Sequence, residues 1–446
     1  MKKLYKIAYS LGALGSAISY QAFSTYFYFF YVDVMKLSVT LASIGMIVYG
    51  IWNALNDPLA GYLSDRTRTK LGRRKPYILF GFIPMALSFI IIWTPPKGII
   101  GEALLFFAYY TFVINLFDTM YTFVILNWTS LFPEMFSELN ERAEVSAYRQ
   151  MFGVIGLIFG IAAPPLIYST LGWLWMGVFI AVVTAITMYI SLFGVHEKEE
   201  FRLDKPLNIK DALIATFHNK SFMTYISGNL GIELTYLLLT ASTPFYTKYV
   251  LKIGDFETSL FFLTAFLFAI PMLYVWRKIT IKYGVKKAYM LCIGAFGITL
   301  LPAFFAFDFV SGIIVAALIG MGLSGSLLLP DVVISDVIDE DEVKTGVRRE
   351  GMYFGINALF IRIVIVLQAI IIGGVLSLTG YVPDLIPQSS SVEFGIRALM
   401  SIIPLIVLLL SLIFVKEYPL DGEYLKQIKL ELEKLHKRKR ARLVQS

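Results

Sequence analysis

Ile402-Ile403-Pro404-Leu405-Ile406-Val407-Leu408-Leu409-Leu410-Ser411-Leu412-Ile413-Phe414-Val415 holds no charged residue and no alternation of polar with apolar positions. A strand of a membrane barrel alternates over about ten residues, because one face meets lipid and the other the lumen. In hydrocarbon the backbone must satisfy its own polar groups, so a helix is the one alternative to a closed barrel. The stretch therefore reads as the body of a membrane-spanning helix with its core at 394–415. Eleven more segments read the same way, with cores at 7–31, 40–63, 77–95, 102–131, 147–169, 172–195, 222–250, 258–276, 288–306, 309–334 and 352–380. Each approaches the roughly 20 residues that cross about 30 Å of hydrocarbon. The expected fold is an all-α polytopic membrane protein with twelve transmembrane helices.

Composition agrees. The chain of 446 residues is 57% hydrophobic and 16% charged, with mean hydropathy +0.70, whereas soluble domains are roughly a quarter charged. A single cysteine, Cys292, excludes an intramolecular disulfide. His196, His218 and His436 all lie outside the apolar segments, which excludes a histidine metal cluster within the membrane. The first apolar run, from about Ile7, is too long and too aromatic for a cleavable signal peptide.

Basic residues orient the spans. Lys2, Lys3 and Lys6 precede the first. Arg66, Arg68, Lys70, Arg73, Arg74 and Lys75 follow the second. Lys198, Arg202, Lys205, Lys210 and Lys220 follow the sixth. Arg277, Lys278, Lys282, Lys286 and Lys287 follow the eighth, and Lys344, Arg348 and Arg349 the tenth. The opposite loops hold only Lys36, Lys97, Lys248 and Lys252. With an even number of spans, both termini are expected in the cytoplasm, and the host bilayer is expected to be the plasma membrane.

A long polar interruption at the midpoint divides the spans six and six. Lys70-Leu71-Gly72-Arg73-Arg74-Lys75-Pro76-Tyr77-Ile78-Leu79 resembles Lys282-Tyr283-Gly284-Val285-Lys286-Lys287-Ala288-Tyr289-Met290-Leu291, half a chain later. Each copy lies between the second and third spans of its half. The expected organisation is an N-terminal six-helix bundle at 1–196, a central cytoplasmic loop at 197–221, a C-terminal six-helix bundle at 222–416 and a tail at 417–446. Parallel halves of this kind carry a solute site at their interface. In the tail, Leu425, Ile428, Leu432 and Leu435 fall at helical spacing before the basic run Lys437-Arg438-Lys439-Arg440-Ala441-Arg442. It reads as an amphipathic cytoplasmic helix held near anionic headgroups, not as a nucleic-acid patch.

Ionisable residues inside spans are costly and mark function or pairing. The candidates are Asp57, Asp118, Glu233 and Arg362, with Arg149 at the start of the fifth span and Asp331 late in the tenth. Asn53 and Asp57 are four apart and share a helical face. Oxygens on one face suit a hard cation, and a lone carboxylate out of water suits a proton. Asp57 could also cap a helix broken at Pro58. Arg362 has no acidic neighbour in sequence, so its counter-charge must come from another helix; Asp57, Asp118 and Glu233 are the candidates. Asp118 and Glu233 could line a polar vestibule for solute. Tyr20, Tyr26 and Tyr28 could stack on sugar rings or simply pack. Gly320-Met321-Gly322-Leu323-Ser324-Gly325 fits a dinucleotide fingerprint, but no strand precedes it; close helix packing explains it better, as it does Gly156 and Gly160.

Gly61-Tyr62-Leu63-Ser64-Asp65-Arg66 with Arg73-Arg74-Lys75 resembles the loop motif of the major facilitator superfamily. Asn56-Asp57-Pro58 followed by Gly72-Arg73-Arg74-Lys75-Pro76-Tyr77 resembles its glycoside–pentoside–hexuronide:cation symporter family, as does Thr345-Gly346-Val347-Arg348-Arg349-Glu350-Gly351-Met352-Tyr353-Phe354-Gly355. Glu141-Arg142 with Tyr148-Arg149 is a third point of likeness. The resemblance implies a melibiose-permease-like fold and cation-coupled alternating access. It implies a cation-coupling site at Asp57, Asn53, Asn56 and Thr122, and a sugar-binding arginine at Arg149 with Trp128 close to a sugar-stacking aromatic. It further implies a residue between the sites at Arg362, and a conformational gating loop around Gly61, Asp65, Arg66, Arg73 and Arg74. The sequence departs from the pattern too. Asn53 and Ile125 stand about where the melibiose permease has carboxylates, and Ala17 where a sugar-binding aspartate would be.

The expectation is a secondary transporter, not an enzyme: a cation-coupled symporter of a sugar or glycoside. With those acidic groups missing, a proton is favoured over sodium. Substrate contacts are expected from Arg149, Trp128, Tyr20, Asp118 and Glu233. No cofactor, resident metal or nucleic acid is expected, and the protein should be a monomer in the bilayer. Within the same fold, the rival readings are an uncoupled facilitator and a lysolipid transporter. A membrane enzyme lacks any recognisable motif in the sequence, and a non-transporting sensor would bind without flux.

Overall fold

A computed structural model describes residues 3–136, 139–196, 219–346 and 349–445. Most of the expected central loop at 197–221, including His218, lies outside the described residues, as do Val347 and Arg348. The described chain is helical between short turns. Its helices are α1 (Lys3–Ser10), α2 (Gly12–Phe29), α3 (Val39–Arg66), α4 (Lys75–Ile92), α5 (Ala103–Met135), α6 (Leu139–Leu171) and α7 (Trp173–Phe193). There follow α8 (Lys220–Phe245), α9 (Asp255–Tyr283), α10 (Val285–Leu300), α11 (Phe309–Thr345), α12 (Glu350–Thr379), α13 (Ser390–Met400), α14 (Ile402–Val415) and α15 (Gly422–Gln445). Every predicted span is helical.

Among the described residues, ten helical segments are long and apolar enough to cross a membrane by length and composition. The first and seventh predicted spans, α2 and α8, fall short of that measure. They carry Ser, Thr, Tyr, Gln, Asn and Glu where the others carry aliphatics. α2 is nonetheless enclosed: Ile18, Ala22, Phe23, Tyr26 and Phe27 are all buried. A helix ringed by protein needs no apolar outer face. Tyr26 donates to the Ile161 carbonyl at 2.5 Å and Tyr28 shares a hydrogen bond with Ser43 at 2.9 Å, so both hydroxyls are engaged within the protein.

The chain packs as two compact units, neither contiguous in sequence. One comprises Met1–Pro206, Thr240–Leu263 and Gln368–Ile396; the other comprises Leu207–Leu239, Thr264–Leu367 and Arg397–Ser446. In the first unit α2 packs on α6 and α7, and α5 packs on α3 and α4. In the second α10 packs on α11 and α14.

Small residues set the closest approaches, as helix association in lipid requires. A Cβ on Gly156 would stand 2.6 Å from the Leu14 carbonyl oxygen, and one on Gly160 would stand 2.6 Å from that of Ile18. In the second unit Gly325 lies against Cys292 and Trp276, and Gly320 against the backbone of Ala265. The glycine run of α11 is thus a packing surface.

The related loops share backbone conformation. Gly72 and Gly284 both have positive φ, 113° and 83°. A second correspondence escaped the sequence reading. α2 and α8 each end in a π-helical turn, Phe30–Val34 and Tyr246–Leu251. Each turn is followed by a lysine in the left-handed region, Lys36 at φ 61° and Lys252 at φ 55°.

The tail is a helix with its apolar stripe on protein. α15 packs on α11 and buries Ile428 and Leu432. Lys429 bridges Asp336 at 2.6 Å and Asp339 at 2.7 Å, Tyr424 donates to Glu340 at 2.8 Å, and His436 lies 3.1 Å from Glu342. Burial works against the Lys429 charge, yet these hydrogen bonds hold its pKa above the ordinary lysine value. The apolar stripe faces protein, because the acidic end of α11 offers buried counter-charges.

Gly160→Ala should destabilise the protein by about 1–3 kcal/mol through overpacking against α2. Gly153→Ala, on the same helix with nothing within 4 Å of its Cβ position, should not. Thermal unfolding of the two variants in detergent checks this.

Candidate functional site

In the first unit, α3 carries Asn53, Asn56 and Asp57 at helical spacing, and α5 carries Asp118 and Thr122 one turn apart. The Asn53 side-chain amide donates to Asp118 Oδ1 at 2.5 Å. The Asn56 amide donates to Asp118 Oδ2 at 3.1 Å and to the Asp118 carbonyl at 3.2 Å. Thr122 Oγ1 donates to Asp57 Oδ1 at 3.1 Å. One turn away along α3, Trp52 Nε1 donates to Thr119 Oγ1 at 2.9 Å and fixes the register of the two helices. Asn56 is 0% and Asp118 3% exposed.

Both amide nitrogens point at Asp118, so both amide oxygens point elsewhere. Asn53 Oδ1 and Asn56 Oδ1 are buried without a hydrogen-bond donor. Two carboxylates, two orphaned amide oxygens and a threonine hydroxyl thus gather between α3 and α5. Such an all-oxygen set suits a hard monovalent cation or a proton. The four residues assigned to cation coupling, Asp57, Asn53, Asn56 and Thr122, are brought together. Asp118, grouped with the solute contacts from sequence, joins them. Its carboxylate supplies the second acidic group that Asn53 and Ile125 do not. Asp118 and Thr122 repeat on α5 the four-residue spacing of Asn53 and Asp57 on α3, but spacing alone does not pair the two helices.

Arg149 and Trp128 form a separate cluster. The guanidinium lies 4.6 Å from the Trp128 ring centroid and 4.7 Å from that of Phe132. Trp128 is 2% exposed; it stacks on Tyr9 at 5.1 Å and donates through Nε1 to the Tyr9 carbonyl at 3.2 Å. In this conformation the indole holds Arg149 and has no open face. Tyr20 packs against Tyr121, beside Thr122, with ring centroids 5.5 Å apart. Lys6, on α1, pairs with Glu141 at 3.0 Å and Glu144 at 2.9 Å on α6.

In the second unit, Glu233 lies on α8 and makes no hydrogen bond or ion pair among the described residues. Arg362 lies half-buried on α12. The loop after α3, expected from the resemblance to gate, is tightly built. The Arg66 guanidinium sits 3.9 Å over the Tyr62 ring, Thr67 and Tyr77 share a hydrogen bond at 2.6 Å, and Thr69 Oγ1 donates to the Gly72 carbonyl at 2.7 Å. Arg73 is buried and Arg74 half-buried. No atom stands within 4 Å of a Cβ placed on Gly61. The Asp65 side chain lies outside the described residues.

Residues 8–422 match the family described as MFS/sugar transport protein. The chain belongs to that family. It is similar to the isoprimeverose transporter of Lactiplantibacillus pentosus, with 26% identity covering 85% of this chain and 81% of the relative. It is similar as well to the sodium-dependent lysophosphatidylcholine symporter 1-A of Danio rerio, with 24% identity covering 94% and 86%. A bacterial homologue of the human drug peptide transporters PepT1 and PepT2 shares the fold, at TM-score 0.65 and 13% identity over 94% of this chain and 99% of that one. The protein is an integral membrane transporter of the major facilitator fold.

Asp118→Ala should leave the Asn53 amide without its acceptor and Asn56 with only the backbone carbonyl of residue 118, at about 1–3 kcal/mol for the orphaned buried donor. Asp118→Asn keeps one acceptor oxygen and should cost less. The order of the two unfolding temperatures in detergent checks the assignment.

Proposed function

We propose that the protein is a symporter that couples a cation to a sugar or glycoside by alternating access, with Asp57 and Asp118 as the coupling carboxylates. The observation that carries this reading is the pair of carboxylates beside the orphaned oxygens of Asn53 and Asn56. Such a site gains most from an arriving positive charge, because the cation completes the coordination of buried oxygens that have no donor. A proton through Asp57 is the first reading. Sodium is the second, and it is strengthened by Asp118, whose carboxylate restores an acidic ligand to the set. Uncoupled facilitation is the outcome if neither gradient matters.

The sugar class is supported by the family description and by the relative named isoprimeverose transporter. A lysolipid is the second solute reading. It is supported by the relative named lysophosphatidylcholine symporter. In the proposed solute path Arg149, Tyr20 and Glu233 meet the solute, Trp128 joins them where the cycle frees its ring from Arg149, and Arg362 relays between the sites. Two six-helix halves rock about the site, and the loop carrying Arg66, Arg73 and Arg74 sets their cytoplasmic contacts. The protein works as a monomer in the plasma membrane, both termini cytoplasmic.

Uptake of labelled glycosides, pentosides and hexuronates into proteoliposomes tests the proposal under a proton gradient, a sodium gradient or neither. Gradient-driven accumulation should fall by about 10²-fold or more in Asp57→Asn, since the coupling charge is lost while the fold is kept. Saturable lysolipid flux with no sugar flux would transfer the assignment to lipid, and the absence of any saturable flux would sink it.

A further inference from the structure

At the end of the bundle opposite the basic loops, a carboxylate with no role in the site above is almost fully enclosed. Asp33 is 1% exposed, at the π-helical turn that ends α2. Lys248, in the matching turn after α8, places Nζ 2.6 Å from Asp33 Oδ2. Tyr249 and Tyr381 both donate their hydroxyls to Asp33 Oδ1. The backbone N–H of Asp384 donates to the Tyr249 hydroxyl at 2.9 Å, and Lys248 reaches the Asp384 carboxylate at 3.0 Å. A flanking pair joins Lys252 to Glu393 at 3.2 Å. All these residues belong to the first compact unit, yet they come from three distant pieces of chain: the ends of the first and seventh spans and the loop after α12.

The contact is tight but has a wet rim. Asp33 is buried, whereas the Lys248 and Asp384 side chains are 29% and 57% exposed. The Lys248 hydrogen bond holds the Asp384 carboxyl below its usual range. Beneath the cluster, α12 lies close on α3, where a Cβ on Gly373 would stand 2.7 Å from that of Ser43. There too is the small cavity walled by Phe23, Ser24, Phe27, Tyr28, Met46 and Gln368. Buried carboxylates left without a cation are strongly disfavoured, whereas hydrated ones are not. Removing one partner therefore destabilises the closed arrangement relative to one in which water reaches both.

We infer that Asp33 and Lys248 form a breakable charge lock, with Tyr249 and Tyr381 as its hydroxyl clamps, that closes this end of the transport path and sets how often it opens. The inference rests on the transport reading above and adds positioning residues to it. The lock holds three segments by one carboxylate, so its loss frees all three together.

Accessibility of a cysteine under the lock tests this without any solute. Ser24→Cys is labelled in intact cells with a membrane-impermeant maleimide, and Val382→Cys, at the exposed rim, reports display and access in each background. Buried Cys292 gives the blank. Ser24→Cys alone should react slowly. Adding Asp33→Asn or Lys248→Met should raise its labelling rate about tenfold as the closed population falls, and Tyr381→Phe should raise it less. Unchanged Ser24→Cys labelling in the variants that show normal Val382→Cys labelling overturns the lock. Tyr381→Phe serves as the deciding arm if both charge variants fail to reach the surface. Flat labelling with intact uptake sinks the lock alone; faster labelling with no uptake sinks the transport reading alone.

Discussion

A carboxylate removed from water must find donors or a cation, and in this protein that demand fixes how the helices meet. Asp118 is satisfied by two amides from α3. Asp33 is satisfied by a lysine and two tyrosines from distant segments. Asp336 and Asp339 are bridged by Lys429 of the tail helix. In each case the burial of one or two acidic groups ties together elements that the hydrophobic effect alone would leave free to slide in lipid. The aliphatic exterior makes the chain a membrane protein; the buried acids choose which helix lies against which.

The same chemistry gives a transporter its moving parts. A wholly apolar contact between helices has no ligand to respond to. In the proposed mechanism, the buried amide oxygens of Asn53 and Asn56, which have no donor, make the set around Asp57 and Asp118 sensitive to a cation, because the arriving charge changes the energy of the arrangement. A buried carboxylate whose partners are complete but whose cationic partner lies at a wet rim, such as Asp33 with Lys248, can exchange them for water. In the proposed cycle one set gains by filling and the other yields by hydration.

The two polar spans, α2 and α8, are central to this. Their low apolarity is the cost of lining an interior. Both end in a π-helical turn and a left-handed lysine, although the sequences of the turns are dissimilar apart from a valine, the lysine and a following aliphatic. The likeness between the loops at Gly72 and Gly284 is legible in both residues and backbone, because only glycine meets a positive φ without strain. The likeness between the turns is a likeness of backbone that lysine tolerates, and residue matching does not show it.

The sequence by itself determined the helical membrane class, the positions of the spans, the family, and the presence of Asn53, Asn56, Asp57 and Thr122 on faces that could meet. It could do so because apolar length, charge between spans and helical spacing are local properties. Tertiary structure alone decided that Asp118 belongs with Asp57 and Asn53, and that Trp128 encloses Arg149. It also decided that the tail's apolar stripe turns to α11, and that Asp33 meets Lys248, Tyr249 and Tyr381. Those are pairings between segments tens to hundreds of residues apart. They follow from which buried charge finds which donor once the helices are packed, and no local pattern carries that information.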